Sequence, residues 1–263
     1  MAYAFPSVWR PLAIVLVSAW LFTPPHASQI LIGGSDQNSG TDCFGDPLPP
    51  GCLARLGTVR LRHGNAINVV AFSPDGAHLA TGGQNSFLCL WDAASGKPLL
   101  RLGTGEEKQI APVYRVFCAA FSGDGKTLIW GTSYSHLHIW DAQAGREIET
   151  IDLNKKLGFN VFIPAVAITK DGKTAAFTFC RLEPAETIVL WDIQGGKELR
   201  RITGKKCGFS RICFGPDGSV LISAAKDGTL RWWEVATGKE IRQRMAHERG
   251  ATCLSLSLNE NIL

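Results

Sequence analysis

Two histidines two residues apart, His136 and His138, share one face of an extended run, the arrangement in which imidazoles hold a metal ion. A zinc site needs three or four protein ligands, and no third residue joins the pair by spacing. Both are expected to be surface histidines of a repeated unit. Four acids directly follow tryptophans: Asp92 after Trp91, Asp141 after Trp140, Asp192 after Trp191 and Glu234 after Trp233. Paired carboxylates suit acid–base chemistry, but a catalytic pair is one constellation, and a feature recurring once per repeat is structural. Gly125, Lys126 and Thr127, like Gly172, Lys173 and Thr174, end as a phosphate-binding loop ends. The first glycine of that motif would stand at Ala120 and Ala167, so neither stretch fits. The serines lack a Gly-x-Ser-x-Gly context. No Cys-x-x-Cys pair exists among the eight cysteines. Trp232 beside Trp233 suggests a stacking platform, yet Trp232 stands at an inward apolar position, which favours packing. The expectation is a chain without catalytic, cofactor or metal residues.

The elements that would position these residues emerge from composition and period. Hydrophobic residues make up 45% of the 263-residue chain and charged residues 19%, a composition that buries a sizeable core. A net charge of +4 with scattered basic residues gives no case for nucleic acid. Arg10 precedes a twelve-residue apolar run, Pro11 to Phe22. That is short of the ~20 residues that span a bilayer. It reads as an export signal within residues 1–28, the alternative being an uncleaved N-terminal anchor. Residues 29–52, rich in Gly, Pro, Ser and Asp, read as a linker. In an exported chain, Cys43 and Cys52 are the first candidates for a disulfide, and Cys207 and Cys213 the second.

From residue 53 a unit repeats. Each copy has an apolar strand, an Asp-Gly turn at Asp75, Asp124, Asp171 or Asp217, and a second strand. A third strand then ends in Trp plus an acid, and a Gly-containing turn leads to a fourth strand. A period of about 40–50 residues with four strands per unit is the signature of a propeller. Counting back from each Trp, the −1 and −3 positions are large and apolar: Leu90 and Leu88, Ile139 and Leu137, Leu190 and Ile188, Trp232 and Leu230. Side chains alternate faces along a strand, so each unit has an aliphatic face and a Trp face, and stacking buries both.

These motifs closely resemble the WD40-repeat family, over about four fifths of the chain. The Pro-rich lead-in at 46–51 is similar to the start of bacterial multi-repeat members. The resemblance implies an all-β, WD40-type β-propeller with four full blades, at about 65–102, 113–151, 161–202 and 208–244. A partial fifth, 245–263, makes an open or incomplete ring. It also implies a hydrogen-bonded brace of His, Ser or Thr, Asp and Trp. His63, Thr81 and Trp91 fit the brace in the first blade, with Asn85 at the Asp position. Ser223, Asp227 and Trp233 fit it in the fourth, with Lys205 at the His position. His247 marks the start of the fifth. The second and third blades carry Pro112 and Phe159 for His, and Tyr134 and Ala185 for Asp. Residues 58–62 resemble an outermost blade strand.

The function implied is a non-catalytic scaffold, exported to the periplasm, the exterior or the membrane face. Its rim would bind a protein or peptide, with self-association through the incomplete blade. Membrane contact would come only through the N-terminal segment. Two alternatives stand beside this: an exported propeller enzyme of the lactone hydrolase or quinone-dependent dehydrogenase type, and a truncated, non-functional array. The loops Gly103–Gln109 and Arg181–Thr187 are the rim insertions that would carry specificity.

Overall fold

A computed structural model describes residues 40–42, 45–55, 58–85, 87–103, 114–180, 187–203, 208–248 and 250–256. The chain divides into two units, residues 1–58 and 59–263. The export signal, most of the insertions at 103–109 and 181–187, Cys43 and Cys207 lie outside the described residues. Among those described, no helix is long and apolar enough to cross a membrane.

The described part of the first unit is a small loop within the stretch expected to be linker. Thr41 bridges Pro47, the buried Asp42 carboxylate accepts the Asp46 amide at 2.9 Å, and Arg55 pairs with Asp42 at 2.9 Å. Charge-assisted hydrogen bonds order a segment too poor in apolar surface to order itself by burial.

Among its described residues the second unit is all-β apart from one short helix. Four antiparallel sheets of four strands follow one another, each in sequence order. Blade 1 contains β1 (Ile67–Phe72), β2 (His78–Gly83), β3 (Leu88–Asp92) and β4 (Pro98–Leu102). Blade 2 contains β5 (Val116–Phe121), β6 (Thr127–Thr132), β7 (His136–Asp141) and β8 (Arg146–Asp152). It is followed by helix α1 (Leu153–Leu157). Blade 3 contains β9 (Val166–Ile168), β10 (Thr174–Phe179), β11 (Thr187–Asp192) and β12 (Lys197–Thr203). Blade 4 contains β13 (Phe209–Phe214), β14 (Val220–Ala225), β15 (Thr229–Glu234) and β16 (Glu240–Met245). The first strands of successive blades are neighbours: β1 lies against β5, β5 against β9, and β9 against β13.

The Asp-Gly hairpins explain themselves locally. Ser73 Oγ donates to Asp75 Oδ1, which also accepts the Ala77 amide at 3.0 Å, while Gly76 takes φ +70°. Ser122 with Asp124 and Thr169 with Asp171 repeat the pattern. In blade 4 the leading position is Gly215, and Ser219 supplies the hydroxyl to Asp217 instead. A side chain that rebuilds the turn in its own backbone fixes the register of the strands it joins.

The core lies between blades. The aliphatic face of blade 1 (Leu88, Leu90 and Leu102) packs on Val116, Leu128 and Trp130 of blade 2. The same face of blade 2 (Leu137, Ile139 and Ile151) packs on Phe177, Val189 and Trp191 of blade 3. That of blade 3 (Ile188, Leu190 and Ile202) packs on Phe209, Leu221 and Trp233 of blade 4. Gly145, in the turn after β7, takes φ +63°, which favours glycine, and a Cβ there would sit 3.3 Å from the Leu100 side chain of blade 1.

Every blade carries a β-bulge at one place in the pairing of its third and fourth strands, between the −1 residue and the Trp: Leu90/Trp91, Ile139/Trp140, Leu190/Trp191 and Trp232/Trp233. The extra residue on the outer strand is Leu99, Ile148, Leu199 or Ile241, and all four are exposed.

Two segments depart from expectation. Residues 59–62, expected to extend as an outermost strand, turn instead: Leu61 has φ +52°, and its amide bonds Gly96 O at 2.9 Å. Residues 250–256, expected to begin a fifth blade, are tied to blade 4 by the Ala251 amide on Ala225 O and by Ser210 Oγ on Ala251 O, without forming a strand.

Leu137 is fully buried and Leu230, its counterpart in blade 4, is half-buried. Leu137→Ala is therefore expected to cost about 2–5 kcal/mol. Leu230→Ala is expected to cost clearly less. Urea denaturation followed by tryptophan fluorescence compares the two, and equal losses would contradict the packing described.

Candidate functional site

Blade 1 assembles its four brace residues. Trp91 Nε1 donates to Thr81 Oγ1 at 2.7 Å, Thr81 Oγ1 lies 2.8 Å from His63 Nδ1, and His63 Nε2 lies 2.9 Å from Asn85 Oδ1. With a neutral imidazole, one hydrogen arrangement satisfies all three bonds. Thr81, already accepting from Trp91, donates to Nδ1, and the imidazole proton on Nε2 goes to Asn85. The burial of the ring favours this neutral form over an imidazolium donating to both partners. Burial pushes the His63 pKa down, against the Asn85 hydrogen bond, and nearby Arg101 pushes it the same way as burial. Asn85 stands where the resemblance implies Asp, and its amide oxygen fills the acceptor position without a charge that would favour imidazolium.

The other blades place different residues at the hydroxyl position. The residues paired across from the −2 positions are Thr81, Trp130, Phe177 and Ser223. In blade 4, Trp233 Nε1 donates to Ser223 Oγ at 2.9 Å, and Asp227 pairs with Arg231 at 3.0 Å. Lys205 lies outside the described residues. His247 is exposed, and its backbone amide bonds Gly228 O. In blade 3 the Trp191 indole reaches into the neighbouring blade and donates to Glu149 at 3.3 Å, while Lys156 of α1 sits 4.0 Å over its ring. In blade 2, Trp140 Nε1 is buried without a hydrogen-bond partner among the described residues, Trp130 standing where the hydroxyl would be. The acids after each Trp hold the next turn. Asp92 accepts the Ser95 amide, Asp141 those of Gln143 and Ala144, Asp192 that of Gly195, and Glu234 the Thr237 hydroxyl.

His138 is buried, unlike the surface residue expected. It stacks on Trp130 (centroids 4.9 Å, 18° between planes) and bonds Thr150 at 2.8 Å and Glu147 at 3.2 Å. Burial pushes its pKa down, against the pull of Glu147. The sequence signal was available: Trp130 pairs directly across from His138, and an imidazole there gains a ring to cover it. His136 lies 6.1 Å away, ring to ring. Tyr114, Thr132, His136, His138, Trp140, Glu147 and Thr150 line a cavity of about 360 Å³. Among the described residues, no serine or cysteine nucleophile lines it. Among the described residues no three His, Cys, Asp or Glu converge as a metal site.

The first strands of the blades line a second cavity, of about 470 Å³. It is walled by Val70, Phe117, Ala119, Ile168 and Ile212, and among the described residues Arg211 is its one charged lining residue. Arg211 bonds its own chain, at Pro164 O and Ser210 O. Cys118 is inert: its thiol donates to Ile163 O, and burial pushes its pKa up to about 12. Cys89, Cys180 and Cys253 are free thiols, and both expected disulfides involve a cysteine outside the described residues.

Four-stranded blades stacked Trp face to aliphatic face, with a His–Thr–Trp brace, define a WD-repeat architecture. Residues 55–92 and 196–234 match the family model described as WD domain, G-beta repeat. These two stretches carry WD repeats, and the four sheets are WD40-type blades. It is 34% identical over 180 residues to the periodic tryptophan protein 2 homolog of Mus musculus, covering 66% of this chain and 17% of that one. It is 27% identical over 183 residues to protein groucho of Drosophila melanogaster, covering 70% and 17%. It is 49% identical over 43 residues to small ribosomal subunit protein RACK1z of Oryza sativa subsp. japonica, covering 16% and 13%. The chain thus spans under a fifth of these curated relatives, all of them eukaryotic.

Thr81→Val strands the Trp91 N–H and the His63 ring nitrogen in a buried place. It is expected to cost about 1–3 kcal/mol, read from the urea midpoint. The lowered His63 pKa sets the sign of a pH effect: the unfolded chain binds the proton more tightly than the folded one. Stability is complete above about pH 6.5 and falls as pH drops through that value toward the folded pKa. Asn85→Asp is expected to raise the His63 pKa, measured by NMR titration of the imidazole. An unchanged or lower value would remove the neutral-imidazole account.

Proposed function

We propose that this chain is a non-catalytic interaction scaffold, exported from a bacterial-type cell, that binds a protein or peptide through the rim loops of its blades and self-associates through an open blade. The observation that carries the scaffold reading is how the polar residues are used. Histidine, threonine and serine side chains of the brace bond one another, and the acids after each Trp cap turns. They do not converge on a shared centre. The inner-strand cavity supports it: its described wall is aliphatic and aromatic with Asn68, Arg211 and the cysteines Cys118, Cys213 and Cys253, and no three His, Cys, Asp or Glu converge there among the described residues. The resemblance to WD-repeat proteins points the same way by analogy. Export and bacterial origin rest on Arg10, the apolar run to Phe22 and the Pro-rich lead-in at 46–51.

Two measurements test the proposal. A photo-crosslinking residue placed at Tyr134, on a loop between strands, is expected to capture a discrete protein that rebinds when purified. Stoichiometric quinone or turnover of a lactone by the full chain would overturn the scaffold reading. Fractionation with N-terminal sequencing is expected to find the protein outside the cytoplasm, beginning near residues 23–29. Full-length chain retained in the cytoplasm would overturn export.

A further inference from the structure

The aliphatic faces of blades 1 to 3 are built alike. The −3 residue of the third strand pairs with an outer-strand aliphatic: Leu88 with Leu102, Leu137 with Ile151, and Ile188 with Ile202. These outer-strand partners are 3%, 2% and 3% exposed, because the next blade covers them. Blade 4 breaks the pattern at both positions. Leu230 pairs with Arg244, and the −1 residue is Trp232 where the others have Leu or Ile.

The surroundings of Arg244 carry the difference further. Leu230, Trp232, Met245, Cys253 and Leu254 floor a groove of about 580 Å³, and its ionisable rim is Arg242, Arg244 and His247. Among the described residues, no carboxylate lines it. The Arg242 guanidinium lies 4.8 Å over the Trp232 ring. Arg244 is exposed and makes no ion pair or side-chain hydrogen bond with the described residues. Arg200 of blade 3, at the register position of Arg242, shows what a covered face does with such a group: it bonds Ala236 O of the blade above at 2.6 Å. An ordinary blade laid on blade 4 would bury Arg244 where the other blades bury an aliphatic. An unpaired buried guanidinium opposes that docking.

We propose that the outer face of blade 4 is a docking surface for an acidic partner segment, an extended peptide of alternating apolar and carboxylate residues. Its apolar side chains lie on Leu230 and Trp232, and its carboxylates pair with Arg242 and Arg244. Charge complementarity selects this occupant. A carboxylate supplies what the two arginines lack and forms the bidentate pair that a guanidinium fork favours. Extended backbone suits the period-two spacing, which places alternate side chains on the sheet face. The surface is separate from the rim loops, so rim binding and this docking can each fail alone; it is also the blade face open to a second copy, and peptide binding there counts against self-association through it.

Fluorescence anisotropy with the full chain tests it, using a labelled peptide of alternating leucine and glutamate and its leucine–lysine counterpart. The glutamate peptide is expected to bind, more weakly as salt rises, and the lysine peptide is not. Arg244→Glu is expected to weaken binding by about tenfold or more, and Arg242→Gln provides a second reading if the first variant misfolds by circular dichroism. Arg146→Glu, on blade 2, is expected to leave binding unchanged. Equal binding of the two peptides, or binding unmoved by both variants, would overturn the proposal. So would failure of the glutamate peptide to bind a chain that sediments as a dimer, which would assign the groove to a second copy.

Discussion

The structure depends on one contact repeated three times, the face carrying the Trp of one blade laid on the aliphatic face of the blade before it. A four-stranded sheet has two apolar faces and cannot hide either by itself. Each blade is therefore stable only as far as its neighbours cover it. The Asp-Gly hairpins serve this contact by fixing register. A slip of one residue would turn the −1 and −3 side chains away from the interface and bring the variable −2 residue into it.

The polar network is subordinate to that packing, which explains its variability. A buried indole N–H needs an acceptor, but the fold does not dictate which. Thr81 and Ser223 supply it from within the blade, and Glu149 supplies it from the neighbouring blade. The Trp140 indole goes without one among the described residues, in a blade where Trp130 and His138 gain a ring stack instead. The brace adds to blades already held by their faces, so its loss in blades 2 and 3 leaves the architecture intact.

Strand order, hairpins and the alternation ending in Trp were legible because they follow from period and turn chemistry, which act locally. The brace of blade 1 was legible down to Asn85, since its members lie at family spacings. The burial of His138 was legible only through the hairpin register that sets Trp130 across from it, which the variable −2 position by itself does not reveal. The Glu149 acceptor was hidden by sequence distance, lying 42 residues from Trp191 on another blade. The turn at Leu61 reflects a bond to Gly96 that no local pattern encodes. Arg244 stood in plain view, at the blade 4 position equivalent to Leu102, Ile151 and Ile202. Its meaning required the register that pairs each of them with a −3 residue.

The bulge beside each Trp bears on a property of the array as a whole. Leu99, Ile148, Leu199 and Ile241 place an exposed aliphatic side chain on every outer strand, the combination of bare strand edge and apolar surface that seeds intermolecular sheets. The extra residue at that point breaks the regular ladder and sharpens the local twist, so an incoming strand meets an interrupted row of donors and acceptors. Every blade carries this protection within its own sequence. Blades can then be multiplied or lost in a lineage without each change creating a fresh site for fibrillar growth.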